Sequence, residues 1–260
     1  MKNYKQLIAV ALVLSAAGAV YLLGTGSANT QSVNSSNKPP QTNVSDSTEN
    51  FPVVSIDSAQ NRSIDNARKA RNEKFDGSKW VSETLNDNDV SSIRITHWQE
   101  GLSPLPGRKS DAVIVGSVTS AQAFLSNDRT GVYSEFSVQT QTVFKNNKLA
   151  PINTEQNILI DRAGGRVSYP SGRVFKYSVR GQDMPRLNGR YVFFLTYDEK
   201  KSVYLILTAY EIQAGKITAL DGKGSNKGSG FDFVNYNGMD EFPFLNAVRD
   251  SLREETNNEK

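Results

Sequence analysis

No cysteine occurs in the 260 residues, and there is a single histidine, His97. The first absence removes disulfide frameworks, thiolate nucleophiles, Cys-ligated zinc or iron–sulfur sites and a lipid-modified N-terminal cysteine. The second removes any two-histidine metal motif within one chain. Long apolar runs are missing beyond the N-terminal segment, which excludes a multi-span membrane protein. The chain also lacks a collagen-like glycine period. Charge is nearly balanced, with 30 Lys and Arg against 27 Asp and Glu leaving +3. What is present suffices for a core: 37% of residues are hydrophobic, 12 Phe and 10 Tyr among them, in a length that allows one large or two small domains.

The N-terminus places Lys2 and Lys5 before an uncharged run of 17 residues, Leu7 to Leu23, followed by Gly24-Thr25-Gly26-Ser27-Ala28. Residues 1–28 therefore read as a secretory signal peptide cut after Ala28, or as a signal anchor that stays in the membrane. Both outcomes put the remainder outside the cytoplasm by the positive-inside rule. Residues 29–50 hold five Ser, five Asn, three Thr and two Gln, with Val33 and Val44 as the only aliphatic side chains, and read as a disordered linker. Residues 51–110 read as a helical or irregular extension with one strand. Within it, Asp57 to Lys74 carries a weak helical period of Ala59, Ile64, Ala67 and Ala70 behind an Asp57 or Ser58 cap. The strand is Ser92 to Trp98.

Residues 111–254 read as a β domain with a C-terminal helix, and 255–260 as a tail. The strand from Ala112 to Thr119 contains Gly116, which marks a bulge or the sharp bend of a small barrel. After the turn at Ser126–Gly131 comes the clearest alternation. Val132, Ser134, Phe136, Val138, Thr140, Thr142 and Phe144 share one face; Tyr133, Glu135, Ser137, Gln139 and Gln141 share the other, predicted wet. Further strands are expected at 157–162, 166–169, 173–179, 191–197, 203–212 and 216–220, separated by Gly-, Pro- and Asn-rich turns. Short strands without helices between them indicate a mainly-β fold: a small antiparallel barrel, OB-like, or a sandwich. Gly222 to Gly230 reads as a flexible linker, because it lacks the spacing of a phosphate-binding loop. Asp240 caps a predicted covering helix with Phe242, Leu245, Val248 and Leu252 as its apolar stripe.

Chemistry is sparse. His97 lies beside Ile93 and Ile95 on its strand, and no Gly-x-Ser-x-Gly elbow accompanies it, so it reads as structural. Glu135, Asp161, Asp183, Glu211 and Asp221 lie near strands, and any two could form a hydrolytic carboxylate pair. Nothing in the sequence selects one. Asp87-Asn88-Asp89 lacks the glycine and closing glutamate of a calcium loop. The most suggestive constellation is basic: in residues 162–190 seven cations against the single Asp183 leave +6. Arg162, Arg166, Tyr169, Arg173, Lys176 and Arg180 are the candidate binding surface for an anionic polymer, since arginine on hairpins beside aromatics suits phosphate, sulfate or carboxylate groups. A solvated face is the competing reading, because strand alternation splits such residues between two sides.

The segments Asp111 to Val118, Ser126-Asn127-Asp128, Thr130-Gly131-Val132-Tyr133-Ser134-Glu135-Phe136, Arg162-Ala163-Gly164-Gly165-Arg166, Pro170-Ser171-Gly172-Arg173 and Gly189 to Leu195 resemble, in combination, an uncharacterised group of exported bacterial proteins. The likeness spans about residues 88 to 252. It implies an exported bacterial β domain and carries no functional residues with it. Together these readings predict a monomeric, extracytoplasmic, non-catalytic envelope protein with a binding or structural role. Its partners would be an anionic envelope polymer or another envelope protein, with a single membrane contact through residues 7–23 if uncleaved. No cofactor, metal or nucleic acid is expected. The alternatives are a carboxylate-dependent hydrolase of an envelope polymer and an extracytoplasmic assembly protein.

Overall fold

The structure is a computed structural model and describes residues 50–57, 65–83, 92–95, 102–222 and 232–257. The expected signal segment, nearly all of the linker, His97, Asp87-Asn88-Asp89 and residues 223–230 of the glycine-rich stretch lie outside the described residues. No helix among the described residues is long and apolar enough to cross a membrane.

Eleven strands are present among the described residues: β1 (Val53–Ser55), β2 (Val81–Glu83), β3 (Ser92–Ile95), β4 (Ala112–Leu125), β5 (Val132–Lys145), β6 (Asn157–Ala163), β7 (Gly165–Ser168), β8 (Val174–Val179), β9 (Arg190–Asp198), β10 (Val203–Gln213) and β11 (Lys216–Ala219). Two helices, α1 (Asn66–Glu73) and α2 (Glu241–Asn257), and a 3-10 turn at Asp232–Tyr236 complete the set. The mainly-β reading, with an N-terminal and a C-terminal helix, therefore holds. The segment 51–110 carries three strands where the sequence predicts one. β1 and β2 are three residues each, too short to show an alternation, and they exist only because a neighbouring edge pairs with them.

The larger sheet runs β11-β10-β6-β5-β4-β9, and β9 pairs again with β10, so pairing travels around a barrel-like ring of five strands. Most joints are antiparallel. The β6–β10 joint is parallel and rests on two residue pairs, Ile160 with Tyr204 and Asp161 with Leu205. The smaller sheet, β1-β7-β8-β3-β2, is antiparallel at β7–β8 and β2–β3 and parallel at β1–β7 and β3–β8.

Gly116 sits where the β4–β5 register slips. A Cβ there would lie 2.4 Å from Val138 Cγ1 and 2.8 Å from the Gln139 carbonyl oxygen, so only glycine admits so close a crossing. Further slips between Val113/Ile114 and Val118/Ser120 bend the long hairpin. They also reverse the expected alternation near the end of β5: Thr142 is exposed, Val143 packs against the ring interior, and Phe144 packs toward α2. The chain passes from β6 to β7, and from one sheet to the other, through Gly164 and Gly165, with φ of 109° and 156°. A Cβ on Gly164 would meet the Tyr177 carbonyl oxygen at 2.8 Å.

The ring interior is filled by Ile114, Val118, Phe136, Val138, Ile160, Tyr191, Phe193, Leu195 and their neighbours. The outer face of β4, β9, β10 and β11 carries Val113, Val115, Val192, Phe194, Tyr210 and Ile217, covered by Phe233, Phe244 and Val248. The predicted stripe of α2 is thus corrected by one residue: Phe244 is buried and Phe242 is 73% exposed. At about 100° per residue, Phe242 lies roughly 120° around the helix from Val248, whereas Phe244 lies roughly 40° away. The carbonyl of Asp240 accepts from the Phe244 amide at 3.2 Å, and its carboxylate pairs with Lys216 at 2.7 Å.

Candidate functional site

The expected wet face of β5 is wet only in its second half. Gln139 and Gln141 are exposed, but Tyr133 and Glu135 are buried, because α1 lies over them. The cap of α1 is Asp65, whose Oδ1 accepts from the Arg68 amide at 2.6 Å, and not Asp57 or Ser58. Its buried side is polar as well. Asn72 is buried, Arg68 and Arg71 are half-buried, and Ala67 faces outward. The tip of the β4–β5 hairpin holds the chain that follows the helix. Asp128 Oδ2 accepts from the Gly77 backbone amide at 2.7 Å and Thr130 Oγ1 from the Ser78 backbone amide at 3.1 Å, while the Asn127 side-chain amide donates to the carbonyl of Lys69 in the helix itself at 2.9 Å. Hydrogen bonds from Ser126, Thr130 and Gly77 hold the Asp128 carboxyl well below the usual carboxylate range.

Register then selects the acid pair that the sequence left open. Glu135 on β5 stands directly opposite Asp161 on β6, so the two acids are cross-strand neighbours on one face. Arg68 pairs with Glu135 and donates to the Tyr133 hydroxyl at 3.0 Å, and Arg71 approaches Glu135 at 3.5 Å. Tyr133 in turn donates to Asn72 at 2.7 Å and stacks on Phe75, ring centroids 4.2 Å apart. The Arg68 guanidinium covers the Phe124 ring at 3.7 Å. Burial first, and the charge of Glu135 second, push the Asp161 carboxyl up to about 8. Asp161 Oδ1 is buried without a hydrogen-bond partner, which fits a carboxyl that stays protonated near neutrality.

Two unlike acids side by side are the raw material of glycoside hydrolysis. These two are 5% and 1% exposed, beneath a helix whose Arg68 and Arg71 are the counter-ions of Glu135. No substrate reaches them in this arrangement, and the cluster is a seal between α1 and the sheet. The other candidate acids are committed too. Asp221 pairs with Arg162 at 2.5 Å with both side chains buried, and Glu211 pairs with Arg186 at 2.5 Å. Asp183 Oδ1 accepts from the Met184 amide at 2.9 Å, and its backbone carbonyl accepts from Arg162 at 2.5 Å.

The basic surface is dispersed by the fold. Arg162 points inward to Asp221 and leaves the expected surface altogether, because its neighbour Asp161 takes the other side of β6. Arg166 and Lys176 do come together as a cross-strand pair on β7 and β8. Arg166 Nε donates to the Phe51 carbonyl at 2.8 Å, and Lys176 Nζ lies 4.0 Å from the centre of the Phe51 ring. Tyr169 is half-buried with its hydroxyl 3.4 Å from that of Tyr177. Arg173 and Arg180 are exposed but flank opposite ends of β8, about 23 Å apart at strand rise.

A shallow cleft that the sequence did not single out lies at the β9–β10 turn. It encloses about 280 Å3 between Ala150–Ile152, Gln156–Leu159, Tyr197, Ser202 and Tyr204. Tyr197 and Tyr204 face each other across the strands, rings 4.9 Å apart and tilted by 51°. The legible signal was two tyrosines closing a hairpin, seven positions apart in the chain. No family model, no characterised protein and no solved structure matches this chain, so the geometry alone carries the functional argument.

Proposed function

We propose that this is an extracytoplasmic envelope protein with a non-catalytic binding or structural role, carried beyond the membrane by residues 1–28 and held off it by the 29–50 linker. The observation that supports a binding role over the hydrolase is the commitment of the acids on and beside the strands. Glu135, Glu211 and Asp221 each pair with an arginine, and Asp161 is sealed beneath α1. The ring interior, where a barrel enzyme would keep a cleft, is filled by side chains. Contact with an anionic envelope polymer narrows to the Arg166–Lys176 pair with the exposed Arg173 and Arg180 beside it.

The test is co-sedimentation with insoluble cell-envelope polymer, with reducing ends measured in the same tubes. The protein is expected to pellet with the polymer, to release no reducing ends, and to pellet less at low salt once Arg173→Glu and Arg180→Glu are introduced together. Release of reducing ends that disappears in Glu135→Gln would replace this reading with the hydrolase.

A further inference from the structure

The cleft at the β9–β10 turn differs from the arginine-bearing hairpins in chemistry: none of its ten lining residues is charged. It therefore offers a phosphate, sulfate or carboxylate no cation. It does offer the half-buried Tyr197 ring, backed by the buried Tyr204, together with the amide side chains of Gln156 and Asn157 and the Ser202 hydroxyl, with Gln156, Asn157 and Ser202 all exposed at the rim. Its volume, about 280 Å3, falls at the small end of ligand sites and suits one ring.

The walls are fixed before any ligand arrives. Asn146 bonds both the amide and the carbonyl of Ile152, at 2.8 and 2.9 Å, stapling the 147–151 loop. Gln156 Oε1 accepts from the Asn153 amide at 2.9 Å, and the Glu155 amide donates to the Thr140 carbonyl at 2.7 Å. The Tyr204 hydroxyl donates to the Ala150 carbonyl at 2.6 Å, which ties the aromatic floor to the loop wall. Such a site loses little ordering entropy on binding.

We propose that this cleft binds a neutral sugar ring of an envelope glycan. A pyranose presents a face of polarised C–H groups that suits the negative face of an aromatic ring, and a rim of hydroxyls that suits amides and a serine. An aromatic or aliphatic ligand would leave the amide rim unpaired, and an anion would meet no cation. The proposal rests on the binding reading above and names a ligand class for a second surface, separate from the arginines.

Saturation-transfer NMR on the full-length chain, with cellotetraose and the N-acetylglucosamine tetramer as probes, tests it. The expected result is transfer to ring C–H protons of at least one probe, with a dissociation constant on the order of 1 mM. Tyr197→Ala should weaken it roughly five- to tenfold, the loss of one stacking contact. Asn157→Ala, a rim change that leaves the core untouched, should weaken it at an unchanged melting temperature. The Arg173→Glu, Arg180→Glu protein should bind the sugars as the wild type does. No transfer to either probe from the wild type, or equal transfer in both cleft variants, would overturn the site. Co-sedimentation with the anionic polymer would persist in that case, whereas failure of the binding reading itself would abolish it.

Discussion

Two helices cover the β structure, and they do so by different physics. α2 presents Phe244, Val248, Leu245 and Leu252 to the apolar outer face of β4, β9, β10 and β11. α1 presents Arg68, Arg71 and Asn72 to Tyr133, Glu135 and Asp161. Burial of apolar area is indifferent to pH and only weakly dependent on salt type. An ion cluster depends on protonation, and leaving one member unpaired costs more than the pair contributes. One helix is therefore a permanent part of the core. The other is attached through chemistry that pH reaches.

The largest effect should come from α2. Phe244→Ala empties a fully buried site and should cost about 3–5 kcal/mol in urea unfolding, with no change in its pH dependence. A loss under 1 kcal/mol would mean that α2 is not part of the core. Next comes Arg68→Ala, which leaves Glu135 in its buried position with only the more distant Arg71. Because Arg68 is itself 21% exposed, the expected cost is about 2 kcal/mol, below that of breaking a fully buried pair. Limited proteolysis within residues 66–78 should speed up while the 112–213 strands stay protected; uniform protection would contradict a separate attachment of α1.

The smallest effect sharpens the comparison most. The folded Asp161 carboxyl is raised to about 8 from an unfolded value of about 4. The folded state thus binds more protons across that window, and its stability falls as pH rises from about 4 to about 8. Asp161→Asn removes this loss, on the order of 4 kcal/mol at pH 7 for such a shift, but leaves a buried side-chain amide short of partners at a cost of up to about 3 kcal/mol, so the net gain at neutral pH is about 1 kcal/mol and the melting temperature rises by roughly 2–4 °C. Its melting curve should also be flatter than that of the wild type between these pH values. Equal slopes for the two proteins would show that Asp161 does not titrate in this range.

Strand positions were legible from β3 onward because each strand there carries at least four residues in which to show its period, and turn residues bound most of them. The short β1 and β2 were not, since three residues hold no pattern and their pairing is decided by edges elsewhere in the chain. The acids of the candidate cluster were also legible as residues. Glu135 and Asp161 are 26 positions apart, and only the β5–β6 register makes them neighbours. Arg68 and Arg71 looked like ordinary helix surface, because nothing local announces that a helix with a polar inner side will meet a polar patch on a sheet. The arginine-rich hairpins misled for the converse reason. Closeness in sequence placed seven cations together, and the pleat and the change of sheet at Gly164–Gly165 sent them in different directions.

The sequence by itself determined the mainly-β class, the turns, the glycine at the tightest strand crossing and the absence of thiol and two-histidine chemistry. These follow from local dihedral preferences, side-chain period and composition, which act over a few residues. Tertiary structure alone decided which acids meet, which arginines are spent on buried partners and where two tyrosines form a cleft. Those outcomes depend on strand register and on the order of strands around the ring, and both are fixed by contacts between residues far apart in the chain.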